Sequence, residues 1–257
     1  MMYGMQGQRA IVTGGGSGIG RAIALRLARE GCALGVIDRD GPAAEAVAEE
    51  IRATGGPAAA VAADVSDPTG VHAAIAALVA DLGGIDTLVN NAGVLSLGSV
   101  LEADPADWRA TFAVNVEGMV LCARAVLPDL IAQGRGRIVN LASWMGKRGV
   151  PNYGAYCASK AATISMTETL AFEVAAHGVT VNAVCPGLIV DTRMRTDSDA
   201  ARVARGMPAS ADRVDSIPLG RVGLPEDVAR LVAFLASDEA GYITGEAINV
   251  TGGMWTN

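Results

Sequence analysis

Tyr156 and Lys160 stand four residues apart near the start of Ala155–His177, a stretch whose apolar spacing predicts a helix. Residues at that spacing share one helix face. A phenol with a pKa of about 10 is a poor base at neutral pH, and a fixed ammonium beside it stabilises the phenolate. The pair is therefore suited to passing a proton to or from an oxygen. Tyrosine and lysine fall at this spacing by chance as well, and the competing reading is a surface tyrosine with a solvated lysine. Ser143 tips the balance, because it follows directly on the predicted fifth strand, Arg137–Ala142. A parallel sheet brings the carboxyl end of a strand beside the amino end of the next helix, so the serine, tyrosine and lysine converge. Ser143 is then placed to bind the reacting oxygen. Asn115 lies inside the predicted helix Pro105–Ala132, where helix propensity favours other residues. It is either a buried structural amide or the holder of a water in a proton relay.

A second group of residues is suited to a dinucleotide. Thr13-Gly14-Gly15-Gly16-Ser17-Gly18-Ile19-Gly20 follows the first predicted strand and runs straight into an amphipathic helix. Glycines allow positive φ and close backbone approach, and a helix N-terminus offers unpaired N–H donors and partial positive charge to a pyrophosphate. The strict G-x-G-x-x-G fingerprint is not met, since Ile19 and Arg21 stand where its third glycine would fall. A tight strand-to-helix connection is the competing reading. Asp38 ends the second strand, where an acidic residue accepts hydrogen bonds from the adenosine ribose hydroxyls. A carboxylate there repels a 2′-phosphate, so NAD(H) is favoured over NADP(H). Arg39 either pairs with such a phosphate or is a solvated turn residue, the commoner state. Lys160 can also hold the nicotinamide ribose through its three donors.

The elements that must position these groups read as repeated βαβ units. Short apolar runs at Ala10–Thr13, Ala33–Ile37, Ala58–Ala63, Thr87–Asn90, Arg137–Ala142, Thr180–Cys185 and Ala247–Val250 predict seven strands covered on both faces. Helical spacing marks Ile19–Glu30, Pro42–Ala53, Pro68–Leu82, Pro105–Ala132, Ala155–His177 and Pro225–Ala236, four of which open on proline. The fold class is α/β: a single doubly wound, Rossmann-type domain over residues 1–257, with a parallel seven-stranded sheet flanked by helices. His177 beside Gly178 reads as a helix terminator rather than a catalytic histidine. Leu188 to Ser216 lacks a steady period and leaves from the carboxyl edge of the sheet, which suggests a substrate lid at about 188–216.

Composition narrows the function. The chain has 257 residues, 51% of them hydrophobic, and a net charge of −7 from 20 basic and 27 acidic residues. That balance repels phosphate backbones and anionic membranes, so neither nucleic acid nor membrane is expected as a partner. Cys32, Cys122, Cys157 and Cys185 are widely spaced and read as buried free thiols. With only His72 and His177 beside them, no metal is expected. Neither a secretory signal nor a bilayer-spanning apolar stretch is evident, and the cytoplasm is the expected location.

Taken together, these motifs resemble the short-chain dehydrogenase/reductase family from about Gly7 to Trp255. The family's glycine motif is similar to Thr13-Gly14-x-x-x-Gly18-x-Gly20, and its adenine-contacting pair to Asp64-Val65. Asn90-Asn91-Ala92-Gly93 resembles the signature that steadies the sheet and lines the cofactor. By the same resemblance Asn115, Ser143, Tyr156 and Lys160 match the catalytic tetrad, and Pro186-Gly187 the turn that meets the nicotinamide carboxamide. One departure stands out. Ile189 and Val190 both precede Asp191-Thr192, one residue more than the family usually has. Either Ile189 or Val190 then contacts nicotinamide, and Thr192 is a weaker match.

The resemblance implies an NAD(H)-dependent oxidoreductase that interconverts a secondary alcohol and its ketone, with Tyr156 as acid and base. Ser96, Trp144, Met145, Lys147, Tyr153 and Leu188 are expected to line the substrate pocket with Ser143, Tyr156 and the lid. Lys147 and Arg148 either meet an acidic group on the substrate or are solvated. A small polyol, sugar or hydroxy acid is the expected substrate. The rivals are a 3-oxoacyl-[acyl-carrier-protein] reductase and, from another class, a non-catalytic NAD-sensing module. Family resemblance also implies a homotetramer, with Pro105–Ala132 and Ala155–His177 at one interface and Met254-Trp255 near another.

Overall fold

Seven parallel strands form one sheet, in the order β3-β2-β1-β4-β5-β6-β7, in a computed structural model that describes residues 2–209 and 211–256. They are β1 (Arg9–Thr13), β2 (Ala33–Asp38), β3 (Ala58–Ala62), β4 (Thr87–Asn90), β5 (Gly136–Leu141), β6 (Val179–Pro186) and β7 (Ala247–Val250). Each predicted strand is present, with its ends within one residue of the expected position. The central strands are buried along almost their whole length, whereas edge strands β3 and β7 are largely half-buried. Two-sided cover by helices explains why their sequences are apolar runs rather than alternating patterns.

The helices are α1 (Gly18–Arg29), α2 (Gly41–Ala53), α3 (Pro68–Leu82), α4 (Pro105–Phe112), α5 (Met119–Gln133), α6 (Gly154–Val174), α7 (Arg193–Val203) and α8 (Pro225–Ala236). Ile23 and Leu27 of α1, Val47 and Ile51 of α2, and Val228 and Val232 of α8 fill one face of the sheet. Val71 and Leu78 of α3, Val126 and Leu130 of α5, and Ala171 and Val174 of α6 fill the other. Asp40, Asp67 and Asp104 cap α2, α3 and α4 through bonds to the N–H groups of Ala43, Thr69 and Ala106. Gly178 takes φ 71° after the 3-10 turn Ala175–His177, as expected of a terminator.

β1 is flanked by β2 and β4, so the chain reverses its direction of winding between β1 and β4. Ligands of open α/β sheets bind in the crevice at such a switch point, outside the carboxyl ends of the strands. A buried polar ladder fixes α6 there. Asn90 donates to Asn140 at 2.9 Å, and Asn140 donates to Thr167 of α6 at 2.9 Å.

Three features differ from expectation. The predicted helix Pro105–Ala132 is α4 and α5 joined by a π-helical turn, Ala113–Gly118, that contains Asn115. Within the same helical run, Pro105–Gln133, an 18-residue window reaches a mean hydropathy of 1.5, long and apolar enough to cross a bilayer, where the sequence reading expected no such stretch. Met119, Cys122, Ala123, Val126 and Leu130 of that run are buried in the protein's own core. The predicted lid contains helix α7 rather than loop alone. Its buried face is Ser198 and Arg202, so no apolar period announces it. Ser210, inside that predicted lid, lies outside the described residues.

Candidate active site

The glycine loop is shaped by contacts that exclude side chains. Gly14 has φ 61°, and a Cβ there would lie 2.9 Å from the Ala92 Cα. At Gly20 an added Cβ would collide with the Gly14 carbonyl. Asn91 draws the β4 loop onto this turn, donating from Nδ2 to the Thr13 and Gly14 carbonyls at 3.0 and 2.9 Å. The Thr13 hydroxyl accepts from the N–H groups of Asn91 and Ala92, both at 3.1 Å. Ser17 precedes the first turn of α1, and Ile19 within that turn lines the cleft.

Asp38 closes the far side of the loop. Its carboxylate accepts from the Gly16 N–H at 3.0 Å and from the Asp40 N–H at 3.0 Å. Arg39 is exposed, and its charge helps hold the Asp64 carboxyl below the usual range, after the bonds Asp64 accepts from the Ser66 hydroxyl and N–H. Val65 is buried against Gly118 of the π turn.

Ser143, Tyr156 and Lys160 line one cleft together with Ile19, Asn91, Gly93, Trp144, Met145, Pro186, Gly187, Ile189 and Thr192. Ser143 begins the 3-10 turn Trp144–Gly146, and its Oγ accepts from the Met145 N–H at 3.2 Å. Gly146 lets this turn lie directly on α6, because a Cβ there would stand 2.6 Å from the Lys160 carbonyl oxygen. The Ser143 hydroxyl at the start of this turn acts on the Tyr156 phenol, against the rise that burial causes. Glycine at 146 carried no sequence signal of this role.

Burial governs the titration of both central groups. It lifts the Tyr156 phenol above its ordinary value, while the Ser143 hydrogen bond and the Arg195 charge pull it back. It also lowers the Lys160 ammonium to about 8. Lys160 Nζ donates to the Leu141 carbonyl at 2.7 Å and lies 5.8 Å from the Tyr156 ring centroid. The depressed phenol expected from lysine is thus outweighed by desolvation.

Asn115 is buried, and its amide is committed. Oδ1 accepts from the Val94 N–H at 2.8 Å, and Nδ2 donates to the Val94 carbonyl at 2.9 Å and to Ser159 at 3.0 Å. It ties the β4 loop to α6. Its main-chain carbonyl accepts a long bond, 3.4 Å, from the Thr163 hydroxyl.

Four expected pocket residues do not line the cleft. Ser96 accepts a bond from Thr111, and Lys147 turns its ammonium to the Ala247 carbonyl at 2.6 Å. The Tyr153 hydroxyl is held by Arg202 at 3.1 Å, and the Leu188 carbonyl accepts from Gly223. Arg148 lies over the Trp255 ring. Between Ile189 and Val190, it is Ile189 that reaches the cleft, while the Val190 N–H bonds to Gly223. Asp191 takes φ 56° and so absorbs the extra residue, a conformation aspartate tolerates better than most. Leu95, Leu141, Ala142, Met194 and Arg195 line the cleft without having been predicted. The last two were hidden because their helix was.

A family profile described as enoyl-(acyl carrier protein) reductase matches residues 14–255. The chain is 41% identical to 2-(S)-hydroxypropyl-CoM dehydrogenase 3 of Xanthobacter autotrophicus, over 95% of this chain and 94% of that protein. It is 40% identical to the 3-oxoacyl-[acyl-carrier-protein] reductase FabG of Staphylococcus epidermidis, over 96% and 98% respectively. The crystal structure of an NAD+-bound xylitol dehydrogenase superposes with a TM-score of 0.91 at 33% identity, covering 96% of this chain and 99% of that one. Each likeness runs nearly end to end, and the chain belongs to the short-chain dehydrogenase/reductase family, oxidoreductases of alcohol and ketone substrates.

Proposed function

We propose that the protein interconverts a small secondary alcohol and its ketone with NAD(H), using Tyr156 as the proton-transfer residue. The observation that carries this is the meeting of Ser143, Tyr156 and Lys160 in one cleft with Ile19, Pro186 and Gly187 at the switch point of the sheet. Ser143 holds the substrate oxygen, and Tyr156 gives it a proton or takes one from it. Lys160 supports the phenol and binds a ribose. With the Asn115 amide already bonded, a relay water falls to its main-chain carbonyl. When bound, the nicotinamide supplies or accepts the hydride.

The dinucleotide fits the residues present. Gly14, Gly16, Gly18 and Gly20 leave room where side chains would stand, and the N-terminus of α1 faces a phosphate. Asp38, fixed from two sides, suits ribose hydroxyls and opposes a 2′-phosphate, so NAD(H) is the favoured form. Asp64 and Val65 serve the adenine, and Gly187, Ile189 and Thr192 the nicotinamide. Helix α7, with Thr192 at its N-cap, is the substrate lid of a single-domain, cytoplasmic subunit. A homotetramer fits the exposed Phe172 of α6 and Tyr242 near the C-terminus.

Kinship with a 3-oxoacyl-[acyl-carrier-protein] reductase supports one rival. A side-by-side screen of polyols, hydroxy acids and ketones with NAD(H) and NADP(H) separates the two, since the rival predicts turnover of 3-oxoacyl thioesters with NADPH. Tyr156→Phe is expected to bind NADH normally and to lose turnover. Activity undiminished in that variant removes Tyr156 from the mechanism.

A further inference from the structure

Helix α7 turns an arginine, not a leucine, into the protein. Arg202 is only 8% exposed, and its fork is held by two neutral oxygens. Nε donates to the Pro208 carbonyl at 2.8 Å, and Nη1 to the Tyr153 hydroxyl at 3.1 Å. The carboxylates of α7, Asp197 and Asp199, lie 3.9 Å from Arg193 and Arg195 instead. A buried guanidinium without a carboxylate is a poor choice for stability, since a packed apolar side chain serves as well or better. What the guanidinium adds is direction, because its planar donors fix a neighbour's position where an apolar contact lets it slide.

The neighbour it fixes belongs to the catalytic helix. Tyr153 precedes α6, is 2% exposed, and its carbonyl accepts from the Cys157 N–H at 2.7 Å in the turn that carries Tyr156. The other end of α7 is placed by the cofactor loop, where a Cβ on Gly18 would lie 3.1 Å from the Thr192 side chain. Met194 and Arg195, the cleft residues of α7, stand between these two anchors. Neither Arg202 nor Tyr153 is among the described residues lining the cleft.

We propose that Arg202 is a positioning residue for the reaction: through the Tyr153 hydroxyl it seats α7 on α6, so that this wall of the cleft stands at a fixed distance from Tyr156. The proposal rests on reading the cleft as an alcohol–ketone site. Without the bond, substrate must seat the helix out of its own binding energy, which raises KM, while saturating substrate restores kcat. The cofactor end of α7 has its own anchor, so NADH affinity is unaffected.

The test uses the intact enzyme and the variants Tyr153→Phe, Arg202→Met, Arg202→Lys and the double Tyr153→Phe/Arg202→Met. Oxidation of 2-butanol, 3-hydroxybutanoate and sorbitol by NAD+ gives kcat and KM, fluorescence gives NADH affinity, and melting curves give folding. Brief proteinase K digestion with mass mapping reads the exposure of residues 193–209. Tyr153→Phe is expected to raise KM roughly tenfold, the worth of one charge-assisted bond, with kcat and NADH affinity nearly unchanged. Arg202→Met should do at least the same and the double variant no worse than Arg202→Met, because both remove one interaction. Arg202→Lys should recover part of the loss, and nicking within 193–209 should quicken several-fold in Tyr153→Phe. Unchanged KM, losses that add in the double variant, or kcat falling in step with melting temperature at constant KM overturns the proposal and leaves the alcohol–ketone reading standing. Should the wild type oxidise none of the three alcohols, that reading fails; unchanged nicking then overturns the seating of α7 as well, and faster nicking upholds it.

Discussion

Lys160→Met tests the electrostatics at the centre of the site through stability rather than turnover. Burial lowers the ammonium from its ordinary 10.5 to about 8. A drop of that size corresponds to about 3 kcal/mol of unfavourable free energy whenever the group is charged in the folded state. The sign follows from proton counting. Between the two values the unfolded chain binds the proton and the folded chain does not, so stability contributed by this residue rises with pH. The penalty is complete below pH 8 and disappears as pH approaches 10.5. Methionine cannot titrate, so the wild type should gain about 2 kcal/mol of stability relative to the variant between pH 7 and pH 9.5. Losing the bond to the Leu141 carbonyl adds an offset of about 1–3 kcal/mol that does not vary with pH, so the slope is the quantity to read. Urea unfolding of both proteins at half-unit pH steps gives it. A gap that stays flat across this range refutes the claim that Lys160 is held charged against desolvation.

Two other expectations follow from the geometry. Gly20→Ala pushes a methyl into the Gly14 carbonyl and to within 2.5 Å of Asn91 Nδ2; it should cost about 1–3 kcal/mol in urea unfolding and weaken NADH binding at least severalfold by fluorescence titration. The four cysteines are free and buried, and burial pushes the Cys32 and Cys122 thiols up to about 12 and raises those of Cys157 and Cys185. A coloured aromatic disulfide reagent at pH 8 should therefore find almost no reactive thiol in the native protein and all four in denaturant.

The strands could be read from the sequence because strands buried on both faces must be apolar along their length, and Gly, Pro and Asp mark where they stop. Ser143, Tyr156 and Lys160 were legible for a related reason: in a parallel sheet, sequence position relative to a strand end already fixes position in space. Local periodicity failed where burial is polar. Helix α7 hides Ser198 and Arg202 instead of leucines, so nothing in Arg193–Val203 distinguished it from loop, and Arg195 disappeared with it. Tyr153 is an instructive error. It stands three residues before Tyr156 and was expected beside the substrate, yet its hydroxyl bonds the buried Arg202 and ties α7 to the start of α6. The Asn115 turn was hidden because a π-helical residue has no composition of its own.

The electrostatics of the cleft tie α7 to the titration of Tyr156. Burial drives Tyr156 and Lys160 toward their neutral forms, raising one and lowering the other. Oxidation of an alcohol needs the phenolate, the form that burial disfavours. What opposes burial at Tyr156 is the Ser143 hydrogen bond first and the Arg195 charge second. Of these, Ser143 is fixed to the sheet, whereas Arg195 rides on α7, whose Arg202 bonds the Tyr153 hydroxyl. Without the Arg195 charge the phenol would stand higher still. The helix that shapes the pocket thus also helps set the titration of its tyrosine.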